Sequence, residues 1–119
     1  TIIDAAPGTG CASVTGIRSA NAVVLVTEPT PFGLHDLDLT VTLMKRMNKP
    51  FGVIINRVED RENSVQKYCT DRGIPLLMQI PFSRDIARAC ADGDGILDVN
   101  PEYGSAFLTA LSEVQEMVL

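Results

Sequence analysis

At 119 residues, 45% hydrophobic and 21% charged, the chain has the size and balance of one compact domain with a single core. Ten Lys and Arg against fifteen Asp and Glu leave a formal charge of −5, which argues against broad electrostatic binding to DNA, RNA or anionic lipid. Cys11, Cys69 and Cys90 are odd in number and far apart, so neither a disulfide framework nor a CxxC metal motif is present and a reducing cytoplasm is the expected setting. No apolar run is long enough to span a bilayer.

Short β-branched runs alternate with amphipathic stretches along the chain, the pattern of a parallel sheet covered by helices. The first run, Thr1–Asp4, reads as a buried strand that ends on an acidic residue and enters the turn Pro7-Gly8-Thr9-Gly10. A chain that opens in mid-strand is expected to be a piece excised from something longer. Ala22–Thr27 is the second expected strand. Leu34, Leu37, Val41 and Met44 then recur at helical spacing, with Thr30 as N-cap, Pro31 at the first helical position and Lys45-Arg46 at the end. Phe51–Asn56 is the third strand, and Val65, Tyr68 and Cys69 mark a shorter helix that stops at Gly73. Pro75–Ile80 is the fourth strand; Ser83 caps a turn or two through Ile86 and Cys90 to Gly93. Asn100-Pro101-Glu102 starts a last helix with the stripe Phe107, Leu111, Val114 and Val118. The expected fold is α/β: one domain over residues 1–119, an open parallel sheet of about four strands with flanking helices.

Ligands of open α/β sheets collect at the carboxyl ends of the strands. Asp4 there can hold a hydrated Mg²⁺, and the Pro7–Gly10 turn can offer backbone N–H groups to a phosphate oxygen. Glu28-Pro29-Thr30 follows the second strand, Asn56-Arg57 the third and Pro81-Phe82-Ser83 the fourth. The Asn56 amide sets a donor beside an acceptor, the pair that a purine edge requires. No stretch matches Gly-x-x-x-x-Gly-Lys-Ser/Thr, the loop that would cradle the remaining phosphates.

Four segments in order, Ile2-Ile-Asp-Ala-Ala-Pro-Gly-Thr-Gly-Cys11, Leu25-Val-Thr-Glu-Pro-Thr-Pro-Phe-Gly-Leu-His-Asp36, Val53-Ile-Ile-Asn-Arg57 and Ile80-Pro-Phe82, resemble the CobQ/CobB/MinD/ParA group of P-loop ATPases. The resemblance is nearest to the MinD-superfamily ATPases with an inserted ferredoxin domain, and extends to the Mrp-type iron–sulfur carriers. It implies a Rossmann-like three-layer P-loop NTPase fold of which this chain is the carboxyl-terminal portion. It puts Asp4 at the Walker B position, holding Mg²⁺ through water. Pro7 and Gly8 become the switch that senses the γ-phosphate of ATP, Asn56 with Arg57 the adenine-binding element, and Pro81-Phe82 the loop flanking the base. It further implies ATP and ADP as ligands, hydrolysis in the intact protein but not in this chain alone, a homodimer, and a ferredoxin-type domain or iron–sulfur partner with coupling to iron–sulfur or redox chemistry. The cysteine segments that would hold a cluster are missing, so no cluster is expected in this chain. Family topology sets the P-loop strand between Thr1–Asp4 and Ala22–Thr27. The gap it leaves is expected to close by direct pairing, by a second copy of the chain, or to remain as an unpaired edge that favours association.

Blander readings stand beside these. Asp4 also reads as a cap on its turn, Asn56 as a side chain satisfying strand-end backbone, and Gly8 and Gly10 as residues supplying positive φ. His35 reads as a helix-surface residue beside Asp36, Cys11 as a buried or half-buried thiol, and Cys69 and Cys90 as helix packing. For Glu28, a partner contact and a cap on the Pro29–Gly33 loop are equally compatible with the sequence. Gly8-Thr-Gly-Cys-Ala-Ser13 is a near-match to a dinucleotide fingerprint, with Glu28 about 20 residues on. A non-catalytic interaction module that uses the acidic surface and the terminal helix is the third reading; a phospho-acceptor Asp lacks its usual acidic pair and Lys.

Overall fold

Three runs rich in Val, Ile and Leu form the sheet in a computed structural model that describes residues 1–60 and 62–119. The elements run α1 (Cys11–Ser19), β1 (Val23–Thr27), α2 (Pro31–Arg46), β2 (Phe51–Val58), α3 (Ser64–Arg72), β3 (Leu76–Pro81), α4 (Arg84–Ala91), α5 (Ile96–Val99) and α6 (Glu102–Glu116). The strands are all parallel in the order β1-β2-β3, with Val23 opposite Phe51 and Val53 opposite Leu76. Side-chain alternation then gives the sheet two apolar faces. Leu25, Val53 and Ile55 meet Leu37, Val41 and Met44 of α2 and Val65, Tyr68 and Cys69 of α3. Ile54, Leu77 and Ile80 meet Ala110 of α6, with Tyr103, Phe107, Val114 and Met117 packed around them. Helices on both faces of a parallel sheet make the three-layer α/β architecture that the strand pattern predicts.

The helix ends are set by local chemistry. Thr30 Oγ1 accepts the Gly33 N–H at 2.9 Å and Pro31 opens α2. Asn63 Oδ1 accepts the Gln66 N–H at 2.8 Å at the start of α3, which ends on Gly73 in the left-handed region at φ 64°. Ser83 Oγ accepts the Ile86 N–H to open α4, and Asn100 Oδ1 accepts the Glu102 N–H to open α6. At the far end of α1, the Lys49 ammonium donates to the carbonyls of Arg18 and Ala20.

Four expectations change. Thr1–Asp4 is not a strand: Ile2 is 95% exposed, and among the described residues the segment pairs with no strand. β propensity without a ladder partner or a surface to pack on does not make a strand. The sheet therefore has three strands, and the outer edge of β1 is unpaired among the described residues. On α6 only Ala110 is buried, with Tyr103, Phe107 and Val114, and Met117 just past the helix, partly buried against the sheet, while Leu111 and Val118 are about half exposed. The cause is that α6 packs on β3 and leaves the neighbouring face of β1 bare, with Val26 65% exposed. Cys11 and Cys90 are exposed, the first because it opens α1 and the second because α4 buries none of its residues; Cys69 is buried as expected. α1 and α5 are additional helices, short enough that hydrophobic periodicity does not announce them.

Tyr68 ties α3 to α2. Its hydroxyl donates to Asp38 Oδ1 at 2.7 Å, and the Arg72 guanidinium lies 4.0 Å from the ring centroid. Burial, then the hydrogen bond to the Asp38 carboxylate and its charge, push the phenol up to about 12. A folded-state value above the ordinary 10 means that the stabilisation is complete below pH 10 and is lost as the pH rises from 10 towards 12. Tyr68→Phe is expected to cost about 1–2 kcal/mol in urea denaturation at pH 7 and to flatten the fall in stability between pH 10 and 12.

Among the described residues, no helix is long and apolar enough to cross a membrane.

Candidate functional site

The carboxyl end of β2 departs from a regular ladder. Ile55 pairs with Gln79 and Val58 with Pro81, so β2 advances three residues while β3 advances two. This is a β-bulge, which takes Asn56 and Arg57 out of the pairing. Arg57 sits there at φ 58°, in the left-handed region that a non-glycine residue rarely enters. Its N–H is satisfied by its neighbour, with Asn56 Oδ1 accepting at 2.9 Å, and the Asn56 amide nitrogen has no acceptor among the described residues. On the adjacent strand end, the Phe82 N–H donates to the Val58 carbonyl at 2.9 Å and fixes the start of the β3–α4 loop.

The Arg57 side chain lies between two strand ends. Its Nη1 is 3.6 Å from Glu28 Oε1, after β1, and its guanidinium carbon is 5.7 Å from the centroid of Phe82, after β3. Both charged side chains are about half exposed, so the pair serves to orient more than to stabilise. Together with Thr30 and Asn63 these residues line a cleft of about 410 Å³, which Glu59, Asp60 and Glu62 line as well.

The amino-terminal turn lies at a separate place. Gly8 has φ 87°, the positive value that the turn requires, and the buried Ser13 hydroxyl donates to the carbonyls of Ala6 and Pro7 from within α1. Asp4, Pro7 and Gly8 line one end of a large open trough of about 1690 Å³. Val24 and Val26 of β1 line it as well, as do Leu108 and Leu111 of α6.

The expected site residues therefore form two groups. Arg57 and Phe82 meet in the cleft with Asn56 and Pro81 beside them in the chain, whereas Asp4, Pro7 and Gly8 border the trough. His35 is exposed on α2, as expected of a helix-surface residue. The dinucleotide fingerprint needs a strand before its glycines, and none precedes Gly8. Glu28 as the partner of Arg57 could not be chosen from sequence, because it depends on the distance between two strand ends. The Ser13 tether on the turn had no sequence signal beyond a hydroxyl near the start of a short helix.

No family model matches the chain. An uncharacterized protein of Methanocaldococcus jannaschii is 30% identical over 99 residues, covering 83% of this chain and 34% of that protein. An iron–sulfur cluster carrier protein of Rickettsia bellii is 34% identical over 93 residues, covering 75% and 29%. An uncharacterized ATP-binding protein of Methanocaldococcus jannaschii is 27% identical over 108 residues, covering 88% and 41%. Among solved structures, a ParA family ATPase from Chlorobium tepidum superposes with a TM-score of 0.63 at 20% identity, over 87% of this chain and 44% of that one. The chain thus spans roughly a third of the length of these curated relatives.

The parallel sheet with helices on both faces is the fold of a ParA-type P-loop NTPase. With the sequence matches added, the chain is related to the MinD/ParA-like P-loop ATPases.

Proposed function

We propose that this chain is the carboxyl-terminal portion of a MinD/ParA-like ATPase and carries its Walker B and switch segment together with its base-recognition elements. The observation that carries the reading is the trough. Among the described residues, a Val-rich parallel strand, β1, has one edge unpaired and one face bare, and Thr1–Asp4 borders the same space with no strand paired to it. One further strand, supplied by the rest of the protein, would pair with β1, order Thr1–Asp4 as a strand on its other side and cover Val24, Val26 and Leu111. That rest would also supply the phosphate-binding loop that is missing from the sequence.

In the intact protein, Asp4 is the hard oxygen donor that suits a hydrated Mg²⁺, and the positive φ of Gly8 leaves its N–H available to a γ-phosphate oxygen. The Asn56 amide nitrogen donates to the acceptor on a purine edge, with the backbone at Pro81 alongside. The chemistry supplied by bound Mg²⁺ is neutralisation of charge between the β- and γ-phosphates. Pro7–Cys11 closes on the γ-phosphate, and Ser13 passes that movement to α1 through its bonds to Ala6 and Pro7. A homodimer and a ferredoxin-type or other iron–sulfur partner are where the movement would be read; the relative named as an iron–sulfur cluster carrier supports that direction.

Isothermal titration of the intact protein with ATP and Mg²⁺ tests the reading. Asn56→Ala is expected to weaken binding by about ten-fold, the worth of one lost hydrogen bond to the base edge. An intact protein that neither binds nor hydrolyses ATP would refute the assignment.

A further inference from the structure

The first twenty residues are joined to one another more fully than to the sheet. Residues 1–10 are exposed throughout, and on α1 the buried residues are Ser13 and Ile17. Ser13 turns inward on its own segment, donating to the carbonyls of Ala6 and Pro7. Gly16 belongs to the same packing: a Cβ there would lie 3.2 Å from the Ala5 Cβ and 3.9 Å from Ile3 Cγ2, so the bare backbone lets the leading segment lie against α1. Towards the rest of the molecule there are two attachments. Ile17 enters the core cluster that holds Leu25 and Leu37, and the Lys49 ammonium donates to the Ala20 carbonyl at 2.6 Å and to the Arg18 carbonyl at 3.0 Å. Among the described residues, no other hydrogen bond crosses from residues 1–20 to the rest of the chain.

Lys49 is placed for this by the end of α2. Asn48 takes φ 53°, the left-handed conformation that closes a helix and that asparagine tolerates better than most side chains, and the Lys49 N–H reaches back to the Met44 carbonyl at 3.1 Å. Pro50 follows with its fixed φ and leads into β2, so the Lys49 backbone is held on both sides. Its side chain meets the last carbonyls of α1, which lack partners within the helix and carry the negative end of its dipole. Bonds from an ammonium to such carbonyls are charge-assisted and stronger than neutral ones. Residues 20–22, just beyond, belong to no helix or strand. We infer that residues 1–20 are an arm that docks on the sheet and leaves it as one unit, turning about residues 20–22, with Ile17 as its plug and Lys49 as its latch. A segment held by one buried side chain and one ammonium opens at a smaller free energy than strands covered on both faces. Opening carries Asp4 and the Gly8 turn away from the sheet together, because both lie on the arm. Every contact of the latch belongs to the chain itself and none involves a nucleotide.

Native-state hydrogen exchange of the chain in increasing urea tests this, read by NMR at the α1 amides from Thr15 to Ala20 and at the β2 amides from Val53 to Ile55. The α1 amides are expected to be less protected than those of β2 and to show a shallower urea dependence, since their opening exposes less surface. Lys49→Met keeps the aliphatic stem and removes the donors; it is expected to lower α1 protection by about ten-fold or more. Lys49→Arg, which keeps the charge and changes the geometry, should recover part of that loss. Ile80→Val falls in the core cluster of the other face of the sheet. It weakens the docked and undocked forms alike, so it is expected to lower β2 protection by about three-fold or more and to leave α1 unchanged. One protection factor and one urea slope for α1 and β2 would make the chain a single cooperative unit and overturn the inference. So would α1 protection unmoved by Lys49→Met, or an Ile80→Val change that reaches α1 in full. No nucleotide enters these measurements, so either result leaves the ATPase reading to its own test.

Discussion

Replacing Asp4 by Ala in the intact ATPase proposed above is expected to lower ATP turnover by on the order of a hundred-fold or more and to leave the fold in place. Asp4 is exposed in the chain described here, and in the intact protein it would stand at the end of the segment, facing the ligand rather than the core. Exposed side chains away from caps and ion-pair networks contribute within about 0.5 kcal/mol to stability. A carboxylate at this position is the group that would hold the metal ion between two phosphates, and its loss acts on the transition state. The diagnostic comparison is between turnover and unfolding midpoint. A collapse in the first with an unchanged second supports the metal role, and Asp4→Asn should behave as Asp4→Ala because the amide has lost the charge. Unaltered turnover would rule out the role.

Gly33→Ala is expected to be the most damaging single methyl in the molecule. A Cβ on Gly33 would lie 2.1 Å from the Glu28 carbonyl oxygen and 3.1 Å from Thr27 Oγ1. The first is a backbone atom and cannot rotate away. Relief requires the β1–α2 loop to move, and that loop is held by the Thr30 cap on the Gly33 N–H and by the Thr27 hydroxyl donating to the Gly33 carbonyl at 3.0 Å. Overpacking at about 1–3 kcal/mol and a disturbed cap at about 1 kcal/mol together give a loss of about 2–4 kcal/mol. Urea denaturation measures it, with Gly10→Ala as the control. No atom lies within 4 Å of a Cβ there, and the change should stay within about 1 kcal/mol. The same loop carries Glu28, so a Gly33→Ala protein that still folds should also show a displaced Arg57.

The legible parts of the fold are those governed by neighbours along the chain. The helix from Pro31 to Arg46 follows from Thr30, Pro31 and the Leu37, Val41, Met44 stripe, and it stands where those residues put it. The stop at Gly73 and the caps at Ser83 and Asn100 are equally local. Thr1–Asp4 shows the opposite case. Its residue types suit a strand, but a strand is completed by a partner some distance away in the chain or outside it, and the segment pairs with none among the described residues. The α6 stripe failed in the same way: Leu111 and Val118 have helical spacing and apolar character, yet the surface they would cover is the bare side of β1.

The candidate site divides along the same line. Strand ends rich in Glu, Asn, Arg, Pro and Phe could be collected from sequence because strand boundaries are local and parallel sheets gather their ligands at one end. That Arg57 reaches Glu28 on one side and Phe82 on the other, across a bulge with φ 58°, could not be read there. Sequence by itself determined the α/β class, the α2 and α3 boundaries, the acidic character and the residues at the strand ends, since each rests on periodicity, capping or composition. Tertiary structure alone decided the number of strands, the open edge of β1, the face that α6 buries and the Glu28–Arg57–Phe82 contact. These depend on which surfaces meet, and the pairing of surfaces is set by packing over distances that no local pattern encodes.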